Sequence, residues 1–164
     1  MENEDLYKKD CIRTYSGKYV NVFEPTEDMI CIEDIAHALA HQCRFAGHTQ
    51  TFHSVAEHSI MCADLSIKSD KLQALMHDAS EAYLVDIPTP IKNHMTEYKV
   101  IENNLMCVIA KKFGFHWPMV DAVKYIDKAV LEYEWKNNVI NKTASILPEI
   151  AKNSFLLEFK RLTK

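Results

Sequence analysis

The sequence predicts an all-α fold, a single helical bundle with a small β-hairpin near its N-terminus. Glycine and proline are scarce, with three and five in 164 residues, which argues against a β-sandwich or a disordered chain. Nearly half of the residues are apolar, so one domain of this length can bury a core. From about residue 30 onward, apolar residues recur at helical spacing, broken by capping and turn residues.

The elements follow in order. Ile12–Tyr15 and Tyr19–Val22 are β-prone and flank Ser16-Gly17, so a hairpin is predicted over about 12–22, with Pro25-Thr26 ending it. A first helix is predicted over Glu33–Gln42, with Ile35, Ala36 and Leu39 on its apolar side, then a loop Arg44–His48 with a glycine stop. A second helix runs from about His53 to Ser66 and a third from Asp70 to about Tyr83, with Ser69 as N-cap. Asp86-Ile87-Pro88-Thr89-Pro90 cannot continue a helix, because each proline lacks a donor and pushes its predecessor out of the α region. A long helix from about Thr96 to Phe113 is closed by Gly114. Another follows Trp117-Pro118 to about Asn137, and the last spans roughly Pro148–Leu162. One domain over 1–164 is expected, with its functional core at about 33–137.

The net charge of −4 offers no overall attraction to a nucleic-acid backbone. A phosphorylated small molecule needs only a few well-placed cations. Cys11, Cys31, Cys43, Cys62 and Cys107 are odd in number with no C-x-x-C pair, as expected of reduced cytosolic thiols. The acidic start Met1–Asp5 lacks an apolar signal region, and no apolar run reaches membrane-spanning length, so a soluble cytoplasmic protein is expected.

The chemistry concentrates in His58, His77, Asp78 and Asp127, since imidazole and carboxylate together suit a divalent transition metal. The second and third helices are joined by a very short connection and should pack as an antiparallel pair. His58 and His77 lie equally far from the turn between residues 67 and 68, which puts both at one height, roughly 14 Å above it at 1.5 Å per residue. Asp78 adjoins His77, and Glu81 is one turn further on. Spacing alone does not choose Asp127 over Asp121. His37 and His41, at i and i+4, could also bind zinc, but no third ligand is placed beside them and they read as packing residues. Trp117, Trp135, Phe155 and Phe159 read as core or subunit contacts, and Lys111-Lys112 as a solvated face.

The run His77-Asp78-Ala79-Ser80-Glu81-Ala82 through Asp86-Ile87-Pro88-Thr89-Pro90-Ile91-Lys92 resembles the signature of HD-domain nucleotide phosphohydrolases. It is most similar to the small phage and bacterial branch that includes 5'-deoxynucleotidases and deoxynucleoside triphosphate triphosphohydrolases. Thr14–Gly17, Ile32–Leu39, Cys43–His48 and Ser54–Ser59 match that branch in the same order. The resemblance covers about residues 14–135 and implies an HD-domain helical bundle. It implies metal ligation by His58, His77, Asp78 and Asp127, and carboxylate catalysis by Glu81 and Asp86. It also implies nucleotide contact by Arg44, with Lys92 and Lys124 at spacings used for phosphates. Two positions depart from the pattern: Val85 where a glycine is expected, and His53 where an aromatic residue is expected.

The expected activity is hydrolysis of a deoxynucleoside triphosphate to deoxynucleoside and tripolyphosphate, because Lys92 and Lys124 would be surplus for a monophosphate. A 5'-deoxynucleotidase is the alternative, and a catalytically inactive nucleotide sensor is the alternative of another class. The expected cofactor is a divalent ion, with manganese, cobalt, nickel, zinc or iron favoured over magnesium. A small-molecule nucleotide is the expected partner, with neither nucleic acid nor membrane. A homo-oligomer is expected, with Phe155, Leu156 and Phe159 supplying a contact.

Overall fold

In the computed structural model, which describes residues 8–164, two strands form an antiparallel hairpin, β1 (Cys11–Arg13) and β2 (Tyr19–Asn21), with Ile12 opposite Val20. The acidic start at residues 1–5 lies outside the described residues. Gly17, at φ +87°, makes the turn, closed by Thr14 N–H donating to the Lys18 carbonyl at 2.8 Å. Buried Asp34 fastens this turn to the first helix by accepting from Thr14 Oγ1 at 2.8 Å, Ser16 Oγ at 2.8 Å and Ser16 N–H at 2.6 Å.

The helices are α1 (Ile32–His41), α2 (Val55–Leu65), α3 (Lys71–Met76), α4 (Glu81–Leu84), α5 (Thr89–Lys92), α6 (Thr96–Phe113), α7 (Asp121–Glu134) and α8 (Pro148–Leu162). A 3₁₀ turn, Phe45–Gly47, follows α1, and a π-helical segment, Trp135–Ile140, extends α7. No helix among the described residues is long and apolar enough to cross a membrane.

Three boundaries differ from the sequence reading for local reasons. Helix α2 begins after Ser54 instead of at His53, because Ser54 and Glu57 form a capping box: Glu57 N–H donates to Ser54 Oγ at 3.2 Å and Ser54 N–H to Glu57 Oε2 at 2.8 Å. The expected third helix is divided. Between Met76 and Glu81 the carbonyls accept from three residues on (Ala79 N–H to Met76, Glu81 N–H to Asp78), so the coil tightens where His77 and Asp78 sit. Asp70, not Ser69, occupies the N-cap position of α3, and the Ser69 hydroxyl donates to its carboxylate instead. Pro88 and Pro90 do stop a helix, and they also open the next. Pro90 is the second residue of α5, where the missing N–H has no partner to lose.

Helix α2 packs against α1, α3, α7 and α8. Being enclosed, it carries apolar or small residues nearly all round, with Val55, Ala56, Ser59, Cys62 and Ala63 buried. The main core joins Ile35, Leu39, Leu75, Met76, Leu105, Ile109 and Phe155, and a smaller cluster of Cys62, Ala74, Val123 and Val130 seats α7 on α2 and α3. Phe155 is fully buried, Leu156 packs on the core, and Phe159 meets Phe113 edge-on at 5.1 Å. These three contribute to the chain's own core, because α8 lies against α1 and α2 with that face inward.

Val85 ends α4 at φ 70°, ψ 146°, a conformation that essentially only glycine adopts without strain. This is the position where the resemblance to HD-domain phosphohydrolases led a glycine to be expected. The side chain is largely exposed, so its removal loses little packing. Val85→Gly should raise the unfolding free energy by about 1 kcal/mol, the strain relieved less the flexibility gained. Urea titration measures this. Val85→Ala, which keeps the Cβ, should gain nothing, and equal stabilisation by both substitutions would refute the backbone explanation.

Candidate metal centre

Two imidazoles meet where α2 and α3 pack together, as their matched distances from the turn predict. His58 Nε2 lies 3.3 Å from His77 Nε2. Asp127, from α7, reaches the same point, with Oδ1 at 3.1 Å from His58 Nε2 and 3.7 Å from His77 Nε2. Asp78 Oδ2 stands 3.2 Å from His77 Nε2 and 3.7 Å from His58 Nε2. Ligands held at ~2.0–2.2 Å from a single ion lie roughly 3.0–3.6 Å apart, so three of these separations match a metal shell and the two at 3.7 Å lie just beyond it. Asp121, the rival that spacing left open, is exposed and pairs with Lys124.

The outer nitrogen of each ring is engaged. His77 Nδ1 donates to the Ala74 carbonyl at 2.7 Å, and a carbonyl only accepts, so the proton is on Nδ1 and the Nε2 lone pair faces the cluster. His58 Nδ1 donates to Glu134 Oε1 at 3.0 Å with the same consequence. A ligating histidine is oriented this way in metal sites. Two imidazoles and two carboxylates gathered this closely form a group able to hold a metal ion.

The same carboxylates draw protons onto both rings, and an ion would have to displace them. Burial and the Arg44 charge push the His58 pKa down, but hydrogen bonds to Asp127, Cys62 and Glu134 raise it to about 10. Burial likewise opposes protonation of His77, yet Asp78 and Asp127 carry its pKa well above the usual value. Burial would raise Asp127 and Asp78, but the neighbouring histidines hold both carboxyls well below the ordinary carboxylate range. A divalent ion placed here would take the place of imidazole protons that otherwise crowd one another.

Two members of the site were missed by sequence reasoning. Cys62, one turn after His58, lies with Sγ 3.6 Å from His58 Nε2, and His58, Cys62, His77 and Asp127 form a mostly buried group able to hold a metal ion. The i, i+4 spacing from His58 was its visible signal. Glu134, two turns after Asp127 on α7, is fully buried. It accepts from His58 Nδ1, from His53 Nε2 at 2.9 Å and from Arg44 Nε at 3.1 Å, and hydrogen bonds from the two histidines overcome burial to bring its pKa to about 2.

His53, where the resemblance led an aromatic residue to be expected, thus joins Glu134 to Glu57 Oε1, at 3.4 Å on its other side. Burial lowers its pKa, but these two carboxylates raise it to about 9. Arg44 is buried between Glu134 and Asp78, with NH1 3.7 Å from Asp78 Oδ2. It enters from the 3₁₀ turn, where Phe45, Ala46 and Gly47 all have positive φ.

Glu81 and Asp86 flank the ligands across α4. Gln42 holds both ends of that segment: its Nε2 donates to the Glu81 carbonyl at 2.9 Å, and its Oε1 accepts from Asp86 N–H at 3.1 Å. Burial, then the charges of Asp78 and Asp86, raise the Glu81 pKa well above the usual value. Burial also raises that of Asp86, opposed by Arg44. Glu81 Oε2 is buried with no hydrogen-bond partner.

The two lysines are placed differently from each other. Lys92 ion-pairs with Glu102 and comes within 3.8 Å of Glu81 Oε1. Lys124 is not brought to the cluster, since its ammonium is exposed and pairs with Asp121 Oδ1 at 2.8 Å.

The chain is 43% identical to the uncharacterized protein YfdR of Escherichia coli, over 75% of this chain and 69% of that protein. It belongs to the YfdR family. An uncharacterized protein of Rhodobacter capsulatus is 34% identical over 71% of this chain and 65% of its own length. The chain therefore spans about two thirds of each relative. No protein-family model matches it.

Two outcomes follow from this geometry. Purified protein should carry at least one transition ion per chain, measured by elemental analysis, and His77→Ala or Asp78→Ala should lose it while helical circular dichroism persists. Full metal retention in the Asp78 variant would remove Asp78 from the ligand set. The second outcome concerns pH. His53 rises from an ordinary 6.5 to about 9 on folding, so its contribution is complete below pH 6.5 and lost as pH rises through 9. The melting-temperature gap between wild type and His53→Gln should be constant below that window and shrink across it. A gap that widens from pH 6.5 to 9 would contradict the ion-paired His53.

Proposed function

We propose that the chain is a metal-dependent phosphohydrolase that cleaves the 5'-phosphate ester of a deoxynucleotide. The observation that carries the reading is the convergence of His58 Nε2, His77 Nε2 and the Asp78 and Asp127 carboxylates at 3.1–3.7 Å, with both outer ring nitrogens occupied. The run from His77 to Lys92 supports nucleotide phosphate as the substrate class, by its resemblance to HD-domain nucleotide phosphohydrolases. Asp78 is preferred to Cys62 as the fourth ligand. It is already a carboxylate at the partly open side of the cluster, whereas a Cys62 thiolate would be formed among Ala74, Val123 and Val130. Two imidazoles and two carboxylates favour a transition metal over magnesium.

A divalent ion held there would lower the pKa of a bound water and polarise the phosphoryl oxygens. The remaining work falls to the chain. Arg44, touching Asp78, offsets negative charge on the phosphoryl group. The water oxygen forms the new bond to phosphorus while the bond from phosphorus to the sugar 5'-oxygen breaks. Asp86 takes the proton that the water loses. Glu81, whose buried carboxyl holds its proton well above the ordinary range, gives it to the departing 5'-oxygen.

The side-chain positions favour a monophosphate over the triphosphate first expected. That expectation rested on two surplus lysines, and Lys124 is paired with Asp121 away from the cluster, which leaves only Lys92, between Glu102 and Glu81, beside the site. The test is a panel of ribo- and deoxynucleoside mono- and triphosphates with manganese, cobalt, nickel, zinc and magnesium. Monophosphates should release phosphate faster than triphosphates release tripolyphosphate, and Lys124→Ala should leave KM for both unchanged. Tripolyphosphate as the faster product would restore the triphosphate reading. Glu81→Gln should lower kcat by about 10²–10⁴-fold with metal content intact, and no turnover of any member of the panel by metal-loaded wild type would overturn the assignment.

A further inference from the structure

We propose a second, separate metal site at the junction of α1 and α8, with His37, His41 and Glu149 as ligands to a zinc-like ion. The i, i+4 histidine pair lacked a third ligand in sequence. The fold supplies one from more than a hundred residues away. Pro148 starts α8 so that Glu149, in its first turn, faces the last turn of α1, and Glu149 Oε1 is 4.0 Å from His41 Nε2. One ligand atom from each of the three side chains lies within 4.8 Å of the other two.

The protons stand as a metal site needs them. His41 Nδ1 donates to the His37 carbonyl at 2.7 Å, which leaves the Nε2 lone pair directed toward Glu149. His37 Nδ1 is buried and has no hydrogen-bond partner. His37 is held in place from both sides, by Tyr15 stacked at 3.8 Å and His41 at 4.0 Å.

Separations between 4.0 and 4.8 Å exceed the roughly 3.0–3.6 Å of a closed shell, so ligation requires a closing movement of roughly 1 Å, with the His41 ring turning off its stack on His37. His41 and Glu149 are both exposed and free to make it. The C-terminal end of α1 favours a cation, while Lys152, which lies over Tyr15 at 4.3 Å, opposes it. Three protein ligands leave a fourth position for water. Such an ion would clip the start of α8 to the end of α1 and, through the His37–Tyr15 stack, brace the hairpin.

Zinc itself is the probe. In calorimetric titration of metal-stripped full-length protein, wild type should bind two zinc ions per chain. His41→Ala and Glu149→Gln should each weaken one class at least 10-fold and leave the other unchanged. His77→Ala should remove the other class and keep the surface one. Zinc should also raise the melting temperature of His77→Ala, and the rise should vanish when His41→Ala is added. One zinc per chain in wild type, unaffected by His41→Ala, overturns the site, and so does a second zinc that survives either surface substitution. Because the readout is stoichiometry, absence of hydrolysis would sink the catalytic reading and leave this result standing.

Discussion

The central constraint is the buried charge of Glu134. A carboxylate taken out of water survives only if donors surround it. Here a single side chain on α7 is satisfied by His58 from α2, by His53 just before that helix and by Arg44 from the turn after α1. Each bond does a second job. The one to His58 aims Nε2 at the metal cluster, the one to Arg44 holds a guanidinium beside Asp78, and the one to His53 extends the network to the capping box of α2 through Glu57. The same contacts bring Asp127 to its position, since it shares the α7 face two turns earlier.

Helix α2 translates that electrostatic arrangement into architecture. It packs against four other helices, with the small residues Ala56, Ser59 and Ala63 buried, and its His58 meets Glu134 on one side and the cluster on the other. A polar residue so deeply enclosed would be costly in an ordinary core. His58, fully buried, is tolerated because both of its nitrogens are used. The tightened coil between α3 and α4 serves the same end. By shifting to three-residue hydrogen bonds at His77 and Asp78, the chain brings two adjacent side chains toward one point, and Gln42 then holds the segment carrying Glu81 and Asp86.

Strain and departure from the expected residue coincide at Val85 and contrast at His53. Val85 occupies a backbone conformation suited to glycine, yet its exposed side chain touches little, so the cost is local. His53 replaces an expected aromatic residue but is fully used, bridging two carboxylates. A departure from a motif thus has no fixed meaning until its contacts are seen.

Local signals sufficed for much of this protein. Gly114 closes α6, Pro148 opens α8, and Ser16-Gly17 turns the hairpin, because each is decided by the φ preferences of one or two residues. The meeting of His58 and His77 was also legible, since a short connection between helices converts distance along the chain into height. What the tertiary structure alone decided was the rotation of distant helices about their axes. That rotation turned Phe155 inward, set Lys124 against Asp121, buried Glu134 under the cluster and placed Glu149 beside His41. Periodicity shows which residues share a face of one helix. Which neighbour that face meets depends on packing across dozens of residues of intervening chain, and local composition carries no record of it.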